Sequence, residues 1–145
     1  MQDFPHHYHA TAAAGPKDHV ELTSPGLVAL ASAAPAEFGG PGDQWSPESL
    51  LAAAVADCFI LSFRAIARAS KFDWVSLECK VDAVLDKVEK VTQFTEFHEK
   101  VVLEVPEGTD ERKAMRLLER AEHVCLVTNS MKGTTHLDAT VKFTS

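Results

Sequence analysis

Three cysteines, Cys58, Cys79 and Cys125, and seven histidines are the side chains of this 145-residue chain suited to nucleophilic, redox or metal chemistry. The thiolate is both the nucleophile and the metal ligand, so the surroundings of each cysteine decide what it can do. Cys58 lies in an alanine-rich apolar run, where a cysteine taken by itself is a small space-filling hydrophobe. Cys79 alternates with Glu78 and Lys80 and reads as a core thiol on the inward side of a strand. Cys125, two residues after His123, is equally an inert thiol at a helix end or a working one. His123 could depress its pKa, or it could be a histidine simply favoured by the negative end of a helix dipole. A zinc site built from Cys58, Cys125 and a histidine needs four converging ligands, and no short-spaced ligand pair nucleates one. His6, His7 and His9 could hold a transition metal weakly, but no cysteine or carboxylate at ligand spacing joins them. That stretch reads as a polar, partly frayed terminus.

These side chains must be held by elements whose signals are clear. In Ser46-Pro47-Glu48, the serine is a helix N-cap, the proline takes the first helical position, where its missing N–H costs nothing, and Glu48 sits beside the positive dipole end. The helix runs to about Ala69 and is apolar nearly all round, which predicts burial. Its alanines would let another backbone approach closely. Val75, Leu77, Cys79, Val81, Ala83 and Leu85 alternate with polar residues as a half-buried strand, and a second strand is expected from about Thr95 to Val105. Thr109 is the expected cap of a helix carrying Ala114, Met115, Leu117, Leu118 and Ala121, and Leu137 to Phe143 alternate as a closing strand. Turn pairs between Tyr8 and about Leu30 separate two or three short strands, and Ala31 to Gln44 reads as a loop. Strands, helix, strands, helix, strand is an α+β order. The length fits one domain, 1–145, and a helix that needs covering on every side predicts a homodimer.

Composition narrows the partners. A 46% hydrophobic, 24% charged chain folds around a core, and a net charge of −7 with scattered Lys and Arg gives no stripe for a phosphate backbone, so no nucleic-acid partner is expected. The apolar run from Leu50 to Ile60, broken by Asp57 and followed by Arg64 and Arg68, reads as too short and too charged for a membrane span. The N-terminus lacks the pattern of a secretory signal, which with three cysteines predicts a reducing, cytoplasmic setting.

The segments Ser46-Pro47-Glu48-Ser49-Leu50-Leu51-Ala52-Ala53-Ala54-Val55-Ala56-Asp57-Cys58-Phe59 and Cys125-Leu126-Val127-Thr128-Asn129-Ser130-Met131 together resemble the OsmC/Ohr family. The resemblance implies an OsmC-like fold, antiparallel sheets packed on a long central helix in an intertwined homodimer. It also implies reduction of organic hydroperoxides with a dithiol donor, often lipoyl-linked, and no cofactor. Carried onto this chain, Cys58 is the attacking cysteine, Cys125 the resolving one, and Glu48 a carboxylate that orients a basic side chain. The chemistry stands by itself: a thiolate takes the distal peroxide oxygen, an alcohol leaves, and the sulfenic acid closes to a disulfide with a second thiol. Glu48 is equally a helix-start carboxylate favoured by the dipole. Ten residues of straight helix put it about 15 Å and roughly 80° from Cys58, so service to Cys58 would come across a dimer interface.

Two departures bear on activity. The hydroperoxide-resistance branch uses an arginine in its N-terminal strands, whereas no arginine here precedes Arg64. Lys17 is the nearest cation by loose alignment, and an ammonium lacks the planar fork of a guanidinium. Arg64 reads as an edge or surface residue with a second-chain contact open to it. Leu126 stands where the best-known branches carry a proline, which points to the broader OsmC-like group. The missing arginine supports a second reading, a catalytically weak module that keeps the thiol pair for ligand binding or redox sensing.

Overall fold

The computed structural model describes residues 2–145, which divide into two compact units, a first that ends at Leu51 and a second, Ala52–Ser145. In the first, β1 (Thr11–Ala13), β2 (Val20–Thr23) and β3 (Leu30–Ser32) form an antiparallel sheet in sequence order. Pro25 and Gly26 make a turn closed by Leu27 N–H donating to the Ser24 carbonyl at 3.0 Å, with Gly26 at φ +76°, a conformation that glycine adopts without strain. The expected loop holds a 3-10 turn, Ala36–Phe38, and is tied back where Ala33 N–H donates to the Trp45 carbonyl at 2.8 Å.

Helix α1 (Pro47–Ala69) starts where Ser46 and Pro47 predict. The cap is reciprocal: Ser49 N–H donates to Ser46 Oγ at 3.0 Å, and Ser46 N–H donates to Ser49 Oγ at 2.8 Å. Ser49 thus does what Glu or Gln does in the commoner capping box.

In the second unit, β4 (Ser76–Val88) and β5 (Val91–Val105) form a long antiparallel hairpin. Glu89 and Lys90 turn it with φ +50° and +70°, the left-handed pair of a two-residue hairpin turn. Then come α2 (Glu111–Val124), the short α3 (Leu126–Asn129) and β6 (Thr134–Phe143). The class is α+β, but this sheet, ordered β4-β5-β6, is mixed, since β6 runs parallel to β5. The helical connection carries the chain back to the end where β5 began, as a parallel crossover must. Phe59, Phe63 and Ala67 of α1, Val101, Leu103 and Val105 of β5, and Ala114, Leu117, Leu118 and Ala121 of α2 make one buried cluster. Phe63 meets Trp74 edge to face at 5.4 Å.

Several expectations change in detail. Asp110, not Thr109, caps α2, its carboxylate accepting from Arg112 and Lys113 N–H, while the Thr109 hydroxyl donates to the Pro106 carbonyl at 2.6 Å. Strand β5 starts four residues before the expected Thr95, because the turn at Glu89-Lys90 pairs Val91 with Val88. Helix α1 is not buried on every side: Val55, Phe59, Phe63 and Ala67 form one buried stripe, whereas Leu61 is 50% exposed. At 23 residues α1 is also long and apolar enough to cross a bilayer, contrary to the reading of its Leu50–Ile60 run. Phe59, Phe63 and Ala67 of that stripe nevertheless belong to the same core cluster as residues of β5 and α2.

Candidate active site: a thiol pair at an apolar groove

The i, i+4 spacing of Val55, Phe59 and Phe63 turns that face of α1 into the core. Cys58, one residue from Phe59, is therefore left at the core's margin, half-buried, with its Sγ 3.9 Å from Ser62 Oγ one turn later. It lines a groove of about 490 Å³ with Ala54, Asp57, Leu61, Ser62, Ala65, Leu126 and Val127. Within that lining Asp57 is the one carboxylate, and no cation is present among the described residues.

Cys125 is fully buried. It sits between α2 and α3, with φ −61° and ψ 108°, where the chain leaves one helix and enters the next. Its carbonyl accepts from Asn129 N–H at 3.0 Å and from the Thr128 hydroxyl at 3.2 Å, which fixes the junction. Its thiol lies near Cys58. Burial raises the Cys125 pKa, hydrogen bonds from Thr128 oppose the rise, and the neighbouring Cys58 adds to it. The fold thus brings together two cysteines 67 positions apart, one opening on a groove and one enclosed. Among the described residues they belong to no group of three metal-ligating side chains, so the zinc reading gains no third ligand.

Cys79 points inward from β4 against the core. Burial, then Glu99, then Cys125 push its thiol up to about 12, which keeps it protonated. Glu99 is a residue that sequence reasoning missed. It is 1% exposed, neither carboxylate oxygen has a hydrogen-bond partner, and burial followed by Glu122 raises its pKa to about 7. The signal was present, since Glu99 falls on the inward positions Phe97, Val101, Leu103 and Val105 of a period-two strand.

Glu48 occupies the first turn of α1, in the first unit, half-buried, with Oε1 enclosed and unpartnered. Lys17 is exposed in the β1–β2 connection, and Arg64 is exposed on α1. His123 is exposed in the last turn of α2, its carbonyl accepting from Asn129 Nδ2 at 3.1 Å. His7 and His9 are exposed, and His6 Nε2 lies 2.9 Å from the Gln2 carbonyl.

A family model described as OsmC-like protein matches residues 40–140. An organic hydroperoxide resistance protein of Xanthomonas axonopodis pv. citri is 31% identical over 137 residues, covering 92% of this chain and 90% of that protein. Among solved structures, an OsmC-like protein of unknown function from Vibrio cholerae superposes with a TM-score of 0.83 at 17% identity, over 93% of this chain and 99% of that one. An organic hydroperoxide resistance protein from Legionella pneumophila superposes with a TM-score of 0.69 at 28% identity, over 97% and 99%.

Proposed function

The chain belongs to the OsmC-like family, and from that premise we propose that it is a thiol-dependent peroxidase reducing organic hydroperoxides to alcohols. The observation that carries the reading is a groove-lining Cys58 beside an enclosed Cys125 whose pKa it raises. Accessibility orders the roles. The Cys58 thiolate attacks the distal oxygen of the hydroperoxide, the O–O bond breaks, and the departing alkoxide takes a proton to become the alcohol. Cys58 is then a sulfenic acid. Its negative charge, which helped keep Cys125 protonated, has gone, so Cys125 deprotonates more readily, attacks the Cys58 sulfur and releases water. A dithiol of the lipoyl type reduces the resulting disulfide by exchange and leaves as a disulfide itself.

The apolar lining suits the alkyl part of an organic hydroperoxide better than hydrogen peroxide. Glu48 acts in this reading as a positioning carboxylate rather than a reacting group, its enclosed Oε1 available to accept from a basic side chain. The working form is a homodimer of single 1–145 domains, because α1 leaves Leu61 and, across the groove, Leu126 exposed in one chain. It works in the cytoplasm, a reducing setting in which a recyclable thiol pair is kept reduced.

Stopped-flow thiol oxidation with cumene hydroperoxide, a fatty-acid hydroperoxide and hydrogen peroxide, followed by mass spectrometry of the cysteines, tests the reading. Fast oxidation by the organic peroxides and a Cys58–Cys125 disulfide are expected. A groove lining without a cation favours a second reading, the redox-sensing or ligand-binding module, and slow oxidation of Cys58 without turnover would select it.

A further inference from the structure

Away from the thiol groove, β5 and β6 bring three ligand-type side chains to one point. Glu96 and His98 are two positions apart on β5 and so leave the same face, and His136 on β6 is the register partner of His98. Thr95, left unpaired where Val84 faces Glu96 and Leu85 faces Phe94, makes a bulge that re-aims the strand just before Glu96. Nε2 of His98 and Nε2 of His136 each stand 3.3 Å from the same oxygen, Glu96 Oε1. The two imidazoles stack at 4.7 Å with 13° between their planes, and the three ligating atoms lie within 4.8 Å of one another. The Thr134 hydroxyl is 3.3 Å from the same His136 nitrogen.

A four-coordinate ion with bonds of about 2.0–2.1 Å to imidazole and carboxylate holds neighbouring ligand atoms about 3.3–3.4 Å apart. Both histidine–carboxylate edges have that spacing. A surface ion pair would satisfy Glu96 with one histidine, whereas here two rings converge on a single oxygen. Two imidazoles and a carboxylate suit first-row transition metals, while calcium and magnesium ask for oxygen ligands throughout. The three side chains are partly exposed, beside a cleft of about 530 Å³ lined by both histidines with Lys80, Asp82, Lys100 and Asp138.

We propose that Glu96, His98 and His136 form a binding site for one divalent transition-metal ion of the zinc class, with its fourth position open to water. The untagged full-length protein, titrated with Zn²⁺ against a chromophoric chelator, should take up one ion per chain that excess Mg²⁺ does not displace. His98→Ala, His136→Ala and the near-isosteric Glu96→Gln should each weaken that uptake by at least about tenfold, which is 1.4 kcal/mol. A variant with His6, His7 and His9 all replaced by Ala should bind as the parent does. With Co²⁺, the visible d–d band should appear without a near-ultraviolet thiolate charge-transfer band and be lost in Glu96→Gln, while circular dichroism stays unchanged. Unaltered affinity in Glu96→Gln and in a folded histidine variant overturns the proposal. So does loss of binding in the His6/His7/His9 variant, or a thiolate band that assigns the ion to Cys58 and Cys125.

Discussion

At the scale of residues, the two thiols are unequal, and their inequality sets the expected behaviour of each variant. Cys58→Ser removes the groove-lining sulfur and should abolish reaction with organic hydroperoxides. Cys125→Ser should allow one oxidation, leaving a Cys58 sulfenic acid that excess peroxide carries to sulfinic acid, because no thiol remains to close the disulfide. Single-turnover kinetics with peptide mapping check both, and a Cys125→Ser protein cycling at the parent rate would sink the assignment. Cys79 lies near enough to Cys125 to raise its own pKa, yet at about 12 it stays a thiol and a poor nucleophile. Cys79→Ser should therefore keep most of the peroxide turnover while losing some stability. Glu99 gives a pH signature. Its folded pKa, about 7, lies above the 4.5 of the free carboxyl, so the native state holds a proton that the unfolded chain has released between those values. The contribution is fully present below about pH 4.5 and is lost as pH rises through 7. Glu99→Gln should raise the melting temperature at pH 8 and change it little at pH 4.5, read by thermal scans across that range. Cys58 and Cys125 stood out as candidates because each sits in an extended motif. The inward place of Glu99 was written in the alternation of β5, but the cost of its burial was not, because that is a property of the folded surroundings.

Elements were legible where the signal is local. Ser46 and Pro47 announce the start of α1, and the alternation from Leu77 to Leu85 announces β4. The parallel direction of β6 was not legible, because a period of two identifies a strand without naming its partner, and only the return through α2 and α3 aligns it with β5. Thr109 and Asp110 are adjacent candidates for one cap. The choice fell to Asp110 because the Thr109 hydroxyl is already committed to Pro106. The burial of α1 was overestimated for a related reason. Composition says that a helix is apolar all round, but only the opposing β5 and α2 decide which stripe they cover. Phe63, fully buried between Phe72 and Trp74, lies in that stripe on the turn after Cys58. Phe63→Ala should cost about 3–5 kcal/mol, seen in a denaturant midpoint that falls with little change in slope. A cost below about 1 kcal/mol would mean that α1 is not anchored through this ring.

At the scale of the whole molecule, the exposed side of α1 has to be reconciled with the groove. Leu61 and Leu126, 50% and 70% exposed, flank the opening through which a peroxide would reach Cys58. On the proposed reading, the large apolar side chains beside Cys58 are association and substrate surface at once, with a second copy narrowing the groove around an alkyl chain. A dimer also relieves the geometry of Glu48, which ten residues of helix hold about 15 Å from the Cys58 of its own chain. The protein should therefore sediment and scatter light at twice the 15.8 kDa of one chain at micromolar concentration. Leu61→Glu should dissociate it, since burying an unpaired carboxylate in that contact is unfavourable while its exposure in the monomer is not. Because Leu61 lies outside the core cluster, the variant should keep the helical signal of the parent. Because Leu61 also lines the groove, mixing tells whether the site is shared. If Glu48→Gln and Cys58→Ser chains, each inactive alone, regain turnover when mixed, Glu48 serves the Cys58 of the partner chain. A monomeric Leu61→Glu protein that reduces cumene hydroperoxide at the parent rate would mean that each chain carries a complete site, and a parent protein that is itself monomeric would remove the shared-site reading altogether.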